Sequence, residues 1–291
     1  MRRSNRYGTP GRLESIGMAD TAKSKSNAGH YDANYGNFES DLYSEIRREA
    51  FGEDIGQNSW LTVDEQDEFI MALALSPGKK LLDVACGAGG PALRIAGKTG
   101  CSLVGIDVHE QAIAAARSLA AKHGLASRTQ FHLVSASGHL PFPDCEFDAV
   151  TCIDAINHLP DRLAVVAEWA RVLKPLGRLL FTDPITMTGP LSKDEIAART
   201  TAGFFLFVPA GYDRQVLAEC GLRLLVCEDV TESMSQISRK RRLARVSREA
   251  ALRKIEGDAD YEQQQRFLAV AAQLAGERRL SRFLYVAEKP L

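Results

Sequence analysis

Hydrophobic and polar positions change rhythm twice along the chain. Residues 1–29 are rich in Gly, Ser, Asn and Lys and carry no periodic apolar positions, so they read as a flexible arm. Residues 30–76 follow as a helical cover. Tyr31, Tyr35, Phe38 and Tyr43 lead into a helix over 39–50, broken by Gly52, Gly56 and the segment Gln57-Asn58-Ser59-Trp60. Thr62 with Glu65 three positions on is a capping-box pattern, which predicts a second helix to about Leu75, stopped by Pro77-Gly78.

From Lys80 the pattern becomes short apolar runs separated by helical periods. Strands are expected at 81–84, 102–106, 129–134, 147–153 and 178–182, with helices between them at about 90–98, 109–123 and 161–173. Strands alternating with helices of this length mean βαβ units and a mainly parallel sheet. After Asp183 the rhythm is lost: 184–210 shows no clear strand. A helix over 211–219, a strand over 222–227, charged helices over 232–256 and 260–275, and a last strand over 283–286 complete the chain. The expected fold is α/β: a doubly wound, mostly parallel seven-stranded sheet (Rossmann-like) with an N-terminal helical cover and a helical cap insertion. Residues 77–291 form the main domain, with cap segments at about 184–220 and 232–275.

Composition narrows this little. The 291 residues carry 36 Lys+Arg against 37 Asp+Glu, a net charge of -1, which gives no general basic face for nucleic acid. The six Cys form no CxxC pair and no disulfide framework. No apolar run is long enough to span a membrane and no secretory signal is evident, so a cytoplasmic, membrane-free protein is expected. No HExxH, CxxC or tight carboxylate cluster asks for a metal.

The sharpest local signal is Asp83-Val84-Ala85-Cys86-Gly87-Ala88-Gly89-Gly90 at a strand-to-helix turn. Small residues there let a ligand approach the backbone, and the following helix offers free N–H groups. Asp107 ends the second strand, where a carboxylate can accept hydrogen bonds from ribose hydroxyls. The glycine spacing fits the dinucleotide fingerprint poorly, because Ala occupies positions 85 and 92.

Taken together with Leu140-Pro141-Phe142-Pro143, Phe147-Asp148, Asn157-His158-Leu159 and Leu173-Lys174-Pro175-Leu176-Gly177-Arg178-Leu179, these residues resemble the core of a class I S-adenosylmethionine-dependent methyltransferase. The similarity is to the small-molecule group that includes sugar O-methyltransferases, sarcosine and phosphoethanolamine N-methyltransferases, and prenyl C-methyltransferases. It implies S-adenosyl-L-methionine as cofactor and S-adenosyl-L-homocysteine as product. It places Asp83, Ala85, Gly87 and Gly89 by the methionine part and Asp107 at the ribose, with Val108 and His109 flanking the adenine. His109 reads equally as a helix-start residue. Where the family often has Asp-Ala, this chain has Ser135-Ala136-Ser137-Gly138, which leaves Ser137 and Gly138 as the adenine partners.

For the reaction, His158 is the leading base candidate, with pocket lining as the alternative. Asp154 and Asp183 lie at neighbouring strand ends, and Asp183 reads as well for capping or packing. Tyr31, Tyr35, Gln57, Asn58, Trp60, Asn157, Phe207 and Tyr212 are candidates for the acceptor side, the aromatics reading equally as packing. Arg239-Lys240-Arg241-Arg242 reads as a solvated helix face. The expected reaction is transfer of methyl to a nitrogen or oxygen of a small-molecule metabolite, such as a natural-product intermediate, by in-line displacement. C-methylation of a prenyl precursor and nucleic-acid methylation are the alternatives. A small-molecule acceptor is the expected partner, nucleic acid is not expected, and a homodimer is left open.

Overall fold

The computed structural model describes residues 35–201 and 203–291; the expected arm 1–29 and Tyr31 lie outside the described residues. In chain order the elements are α1 (Asp41–Phe51), α2 (Val63–Leu73), β1 (Lys80–Val84), α3 (Gly90–Thr99), β2 (Ser102–Asp107), α4 (Glu110–Lys122), β3 (Thr129–Leu133), β4 (Phe147–Cys152) and α5 (Arg162–Val172). Then come β5 (Leu173–Met187), α6 (Lys193–Arg199), β6 (Val208–Pro209), α7 (Tyr212–Glu219), β7 (Arg223–Asp229), α8 (Thr231–Val246), α9 (Glu249–Glu256), α10 (Asp258–Gly276) and β8 (Leu280–Glu288).

The strands lie in the order β3-β2-β1-β4-β5-β8-β7, and the two-residue β6 pairs with β5 off this path. Strands β1 to β5 run parallel, whereas β8 is antiparallel to both β5 and β7. Side chains alternate across the sheet, so the central strands feed two cores. Leu82, Val84, Val104, Ile106 and Val150 pack under Trp169 of α5 and Leu217 of α7. Leu81, Leu103, Ala149 and Leu180 pack on the other face, against Phe69 of α2, Leu93 of α3 and Ile113 of α4. Because both faces are covered, β1 is buried continuously from Leu81 to Val84 rather than at alternate positions.

The cover is fastened by its own chemistry. Thr62 Oγ1 accepts from Glu65 N at 3.2 Å and Glu65 Oε2 accepts from Thr62 N at 3.3 Å, the expected capping box. A third apolar cluster joins Phe51 and Trp60 of the cover to Met234 and Ile237 of α8 and Leu268 of α10.

Three expectations need correction. Strand β5 does not stop at Thr182 but runs to Met187, because β8 pairs with it as far as Leu280. Pro184 falls at a register shift between Asp183 and Thr186, where a residue without an N–H costs the ladder little. Residues 184–210 therefore hold the end of β5, all of α6 and β6. The charged stretch 232–256 is two helices, broken at Ser247-Arg248. The sheet has eight strands when β6 is counted.

Candidate active site

A cavity of about 740 Å³ opens at the carboxyl ends of β1, β2 and β4. Its floor is the turn after β1. Ala85 and Gly87 have φ of 54° and 53°, in the left-handed region, and this turns the chain sharply enough to expose its backbone to the cavity. A Cβ added to Gly87 would come within 2.7 Å of Tyr35 Oη, the far end of a side chain that can shift, so it is the positive φ that calls for glycine there.

Two carboxylates flank this turn. Asp107 Oδ2 accepts from Gly87 N at 2.9 Å and its Oδ1 from His109 N at 3.0 Å, leaving further lone pairs on both oxygens. Asp83 is buried at the end of β1 and accepts from Thr151 Oγ1 at 2.6 Å. Burial pushes the Asp83 carboxyl up to about 7, held back by the Thr151 hydrogen bond and helped by the negative Asp107 nearby. A buried acid of this kind suits a cationic ligand group, which would restore its charge.

At the other end of the cavity stand Ile153, Asp154, Ala155, His158 and Leu159 from the β4–α5 connection, with Asn58 and Ser59 of the cover and Phe204 of the cap. His158 Nδ1 lies 3.0 Å from Phe204 O. A carbonyl can only accept, so Nδ1 carries the proton and Nε2 the basic lone pair. Burial pushes the imidazole down to about 4, opposed by the Phe204 contact, so it is neutral at pH 7 rather than poised near its ordinary value.

The cavity thus gathers Tyr35, Asn58, Asp83, Ala85, Gly87, Asp107, Val108, His109, Ser137, Asp154 and His158 from the expected set. The others fall outside its lining. Gly89 is the N-cap of α3, and a Cβ there would press on Ala116 and Phe131, so its smallness serves packing. Gly138 does not line the cavity. Gln57 folds back on its own turn, donating to Glu53 O and accepting from Ile55 N. Trp60 is buried and stacks on Phe267 at 6.2 Å. Phe207 packs with Ile185 and Leu274, and Tyr212 against the sheet. Asn157 is buried beside the cavity, its carbonyl accepting from Leu206 N.

Asp183 is the clearest correction among the acids. It is fully buried and accepts from Arg162 Nη1 at 2.6 Å, while Asp213 Oδ1 takes the same nitrogen at 2.5 Å. Asp154 does line the cavity, but its oxygens are taken. Oδ1 accepts from Arg282 Nε and Thr182 Oγ1, both at 2.7 Å, and Oδ2 from Trp60 N at 2.8 Å.

Sequence reasoning missed Gly90 and Arg282. A Cβ on Gly90 would sit 1.9 Å from Ile55 O, so the cover's backbone rests directly on the start of α3. Arg282 is the lone cation of β8, next to the apolar run Phe283 to Ala287, and that isolation was the available signal.

The comparisons with known proteins agree with this geometry. A methyltransferase domain family matches residues 82–181. The chain is 38% identical over 166 residues to the methyltransferase GfsG of Streptomyces halstedii, covering 55% of this chain and 58% of that protein. It is 30% identical over 204 residues to the 27-O-demethylrifamycin SV methyltransferase of Amycolatopsis mediterranei (strain S699), covering 66% of this chain and 75% of that one. Among solved structures, the [4+2]-cyclase SpnF superposes with a TM-score of 0.73 at 24% identity, over 92% of this chain and 97% of that chain. That likeness concerns the fold alone.

Proposed function

The chain belongs to the class I S-adenosylmethionine-dependent methyltransferases, and from that premise we propose that it methylates an oxygen or nitrogen of a small-molecule metabolite by in-line displacement. The observation that carries the reading is the joining of Asp83, the Gly87 turn and Asp107 to a polar end at His158 in one cavity. The residues present fit the cofactor. Asp83 offers a buried carboxylate to its amino group, Asp107 keeps lone pairs for two ribose hydroxyls, and Val108, His109 and Ser137 border the space for adenine. When bound, the cofactor supplies a methyl carbon already made electrophilic by a sulfonium.

The protein's own task is then alignment and proton removal. Asn58, Ser59 and Tyr35 orient the acceptor, and the walls at Leu159 and Phe204 keep water away. His158, its ring held by the Phe204 carbonyl, is a weak base in this surrounding and takes the acceptor proton at Nε2 only as the new bond to the methyl makes that proton acidic. No Lys or Arg is among the described residues that line the cavity, which supports an acceptor without phosphate. Oxygen is favoured over nitrogen, since carboxylates around the cavity would hold an amine protonated. The substrate in the rifamycin relative's name, an O-demethyl compound, points the same way.

The test is incubation with S-adenosylmethionine carrying a heavy-isotope methyl group, together with a small-molecule extract of the source organism. Mass spectrometry should find label on the oxygen of a phosphate-free product. Label on carbon or on a phosphorylated amine would overturn the acceptor assignment, and label only in nucleic acid or protein would overturn the substrate class.

A further inference from the structure

Between Ile55 and Leu61 the cover forms a strap along one wall of the cavity, its backbone held at both ends, with Arg241 Nη1 donating to Asn58 O at 3.4 Å between them. At one end the Ile55 carbonyl lies on Gly90, so close that no side chain could stand between them. At the other, Trp60 N donates to Asp154 Oδ2 at 2.8 Å. Asn58 and Ser59, the two strap residues between these points that line the cavity with Gly56, have their positions set by both.

Asp154 is itself held in an unusual state. Its φ is 53°, a left-handed conformation that a residue with a side chain keeps only when its surroundings enforce it. The enforcement is visible. Thr182 Oγ1 donates to Oδ1 at 2.7 Å and in turn accepts from Asp154 N at 2.8 Å. Arg282 Nε donates to the same Oδ1, while Arg282 Nη1 donates to Glu65 Oε1 at 2.5 Å and to Ser233 Oγ at 2.9 Å. Glu65 is the residue that closes the capping box of α2, the helix continuing directly from the strap. One buried guanidinium therefore joins the strand-end acid at the cavity wall to the cover at two places.

We propose that Asp154 is a positioning residue: backed by Arg282, it pins the strap at Trp60 and so sets Asn58 and Ser59 against the acceptor end of the cavity. The identity of what lies in the cavity rests on the methyltransferase reading; the pin does not. Asp154→Asn is the direct probe. With Arg282 and Thr182 both claiming the remaining oxygen, the new NH2 group faces the Trp60 N–H, donor against donor, and the pin is lost. Asn also tolerates the left-handed backbone, so the conformation itself is spared.

The experiment is amide hydrogen exchange of the full chain, read by mass spectrometry on a peptide spanning the strap, with and without S-adenosylhomocysteine. In the native protein the strap should be protected and Asp154→Asn should speed its exchange about tenfold, while peptides from β1 and β2 stay unchanged. Dissociation of S-adenosylhomocysteine from the variant should quicken by a similar factor. A folded Asp154→Asn protein with native strap exchange would overturn the proposal. Should that variant fail to fold, Thr182→Val keeps the pin and the capping box and removes only the Thr182 support of Asp154; a rise of about threefold in strap exchange is expected, and no rise overturns the proposal. Failure of the native protein to bind S-adenosylhomocysteine would sink the functional reading while leaving the exchange test in force.

Discussion

Among the described residues three arginines are fully buried, Arg162, Arg199 and Arg282, and two of them each bridge a pair of carboxylates: Arg162 between Asp183 and Asp213, and Arg282 between Asp154 and Glu65. Both bridges involve an acid on the carboxyl side of the central strands, Asp154 just beyond β4 and Asp183 within β5, the side where ligands bind in open α/β sheets. Yet they serve different regions. The Arg162 centre ties α5, β5 and α7 together beneath the cap, with Arg162 Nη2 reaching Leu206 O, and does not touch the cavity. The Arg282 centre has one acid in the cavity wall and passes through it to the cover. A carboxylate on this side of the sheet is thus a candidate site residue when it faces the cavity and is not held by a buried arginine. Asp107 meets both conditions, Asp154 only the first, and Asp183 neither.

The comparison can be broken most forcefully at Arg162. Arg162→Met leaves Asp183 and Asp213 buried together without a cation, which should cost about 3–5 kcal/mol of stability. Thermal melting should show the loss, and S-adenosylhomocysteine affinity of the remaining folded protein should be unchanged. A selective loss of affinity would move this centre into the site.

The next effect lies between the two centres, at His158. His158→Ala should slow methyl transfer by about 100-fold with little change in cofactor affinity if Nε2 accepts the proton. Because burial holds this imidazole at about 4, its protonation should not limit the rate above about pH 5. A His158-dependent break near pH 6.5 in the rate profile would contradict that environment.

Asp83 and Asp213 sharpen the contrast through pH. Burial raises both acids, and a neighbouring Asp adds to each. For Asp83 the folded value of about 7 lies above the ordinary 3.8, so between these pH values the folded protein binds more protons and the ligand-free form loses stability as pH rises. A cationic amino group beside Asp83 would favour its charged form. Affinity for S-adenosylhomocysteine should therefore rise about tenfold per pH unit below 7 and level off above it, and titration in buffers of different ionisation enthalpy should show proton release. Asp83→Asn should abolish this slope, and Asp213→Asn should leave it in place.

The smallest effect expected is at Ala85, whose φ of 54° favours glycine. Ala85→Gly should change stability by no more than about 1 kcal/mol, as relief of left-handed strain is offset by greater freedom of the unfolded chain. A larger loss, measured by denaturant titration, would mean that the Ala methyl packs in the site.

Most of the fold was legible because the strand and helix periods are local. The capping box at Thr62, the Asp83 to Gly87 turn and the strand ending in Asp107 could all be read from neighbours in sequence. What escaped depended on distant partners. Strand β5 passes through Pro184 only because β8 holds it on the far side. Trp60 and Gln57 looked like recognition residues, but one stacks on Phe267 and the other closes its own turn. Asp183 and Asp154 carried the right chemistry in the right kind of place. Only the arginines, supplied from far along the chain in the case of Arg282, reveal that their oxygens are already in use.

The most direct test of the account is calorimetric titration of S-adenosylhomocysteine into the native protein and into Asp107→Ala at pH 7.5. The account predicts one site per chain in the native protein, and an affinity at least about tenfold weaker in the variant, which should remain folded while losing about 1–3 kcal/mol of stability with the bonds to Gly87 N and His109 N. Native binding that is absent, or equally tight when Asp107 is removed, would contradict it.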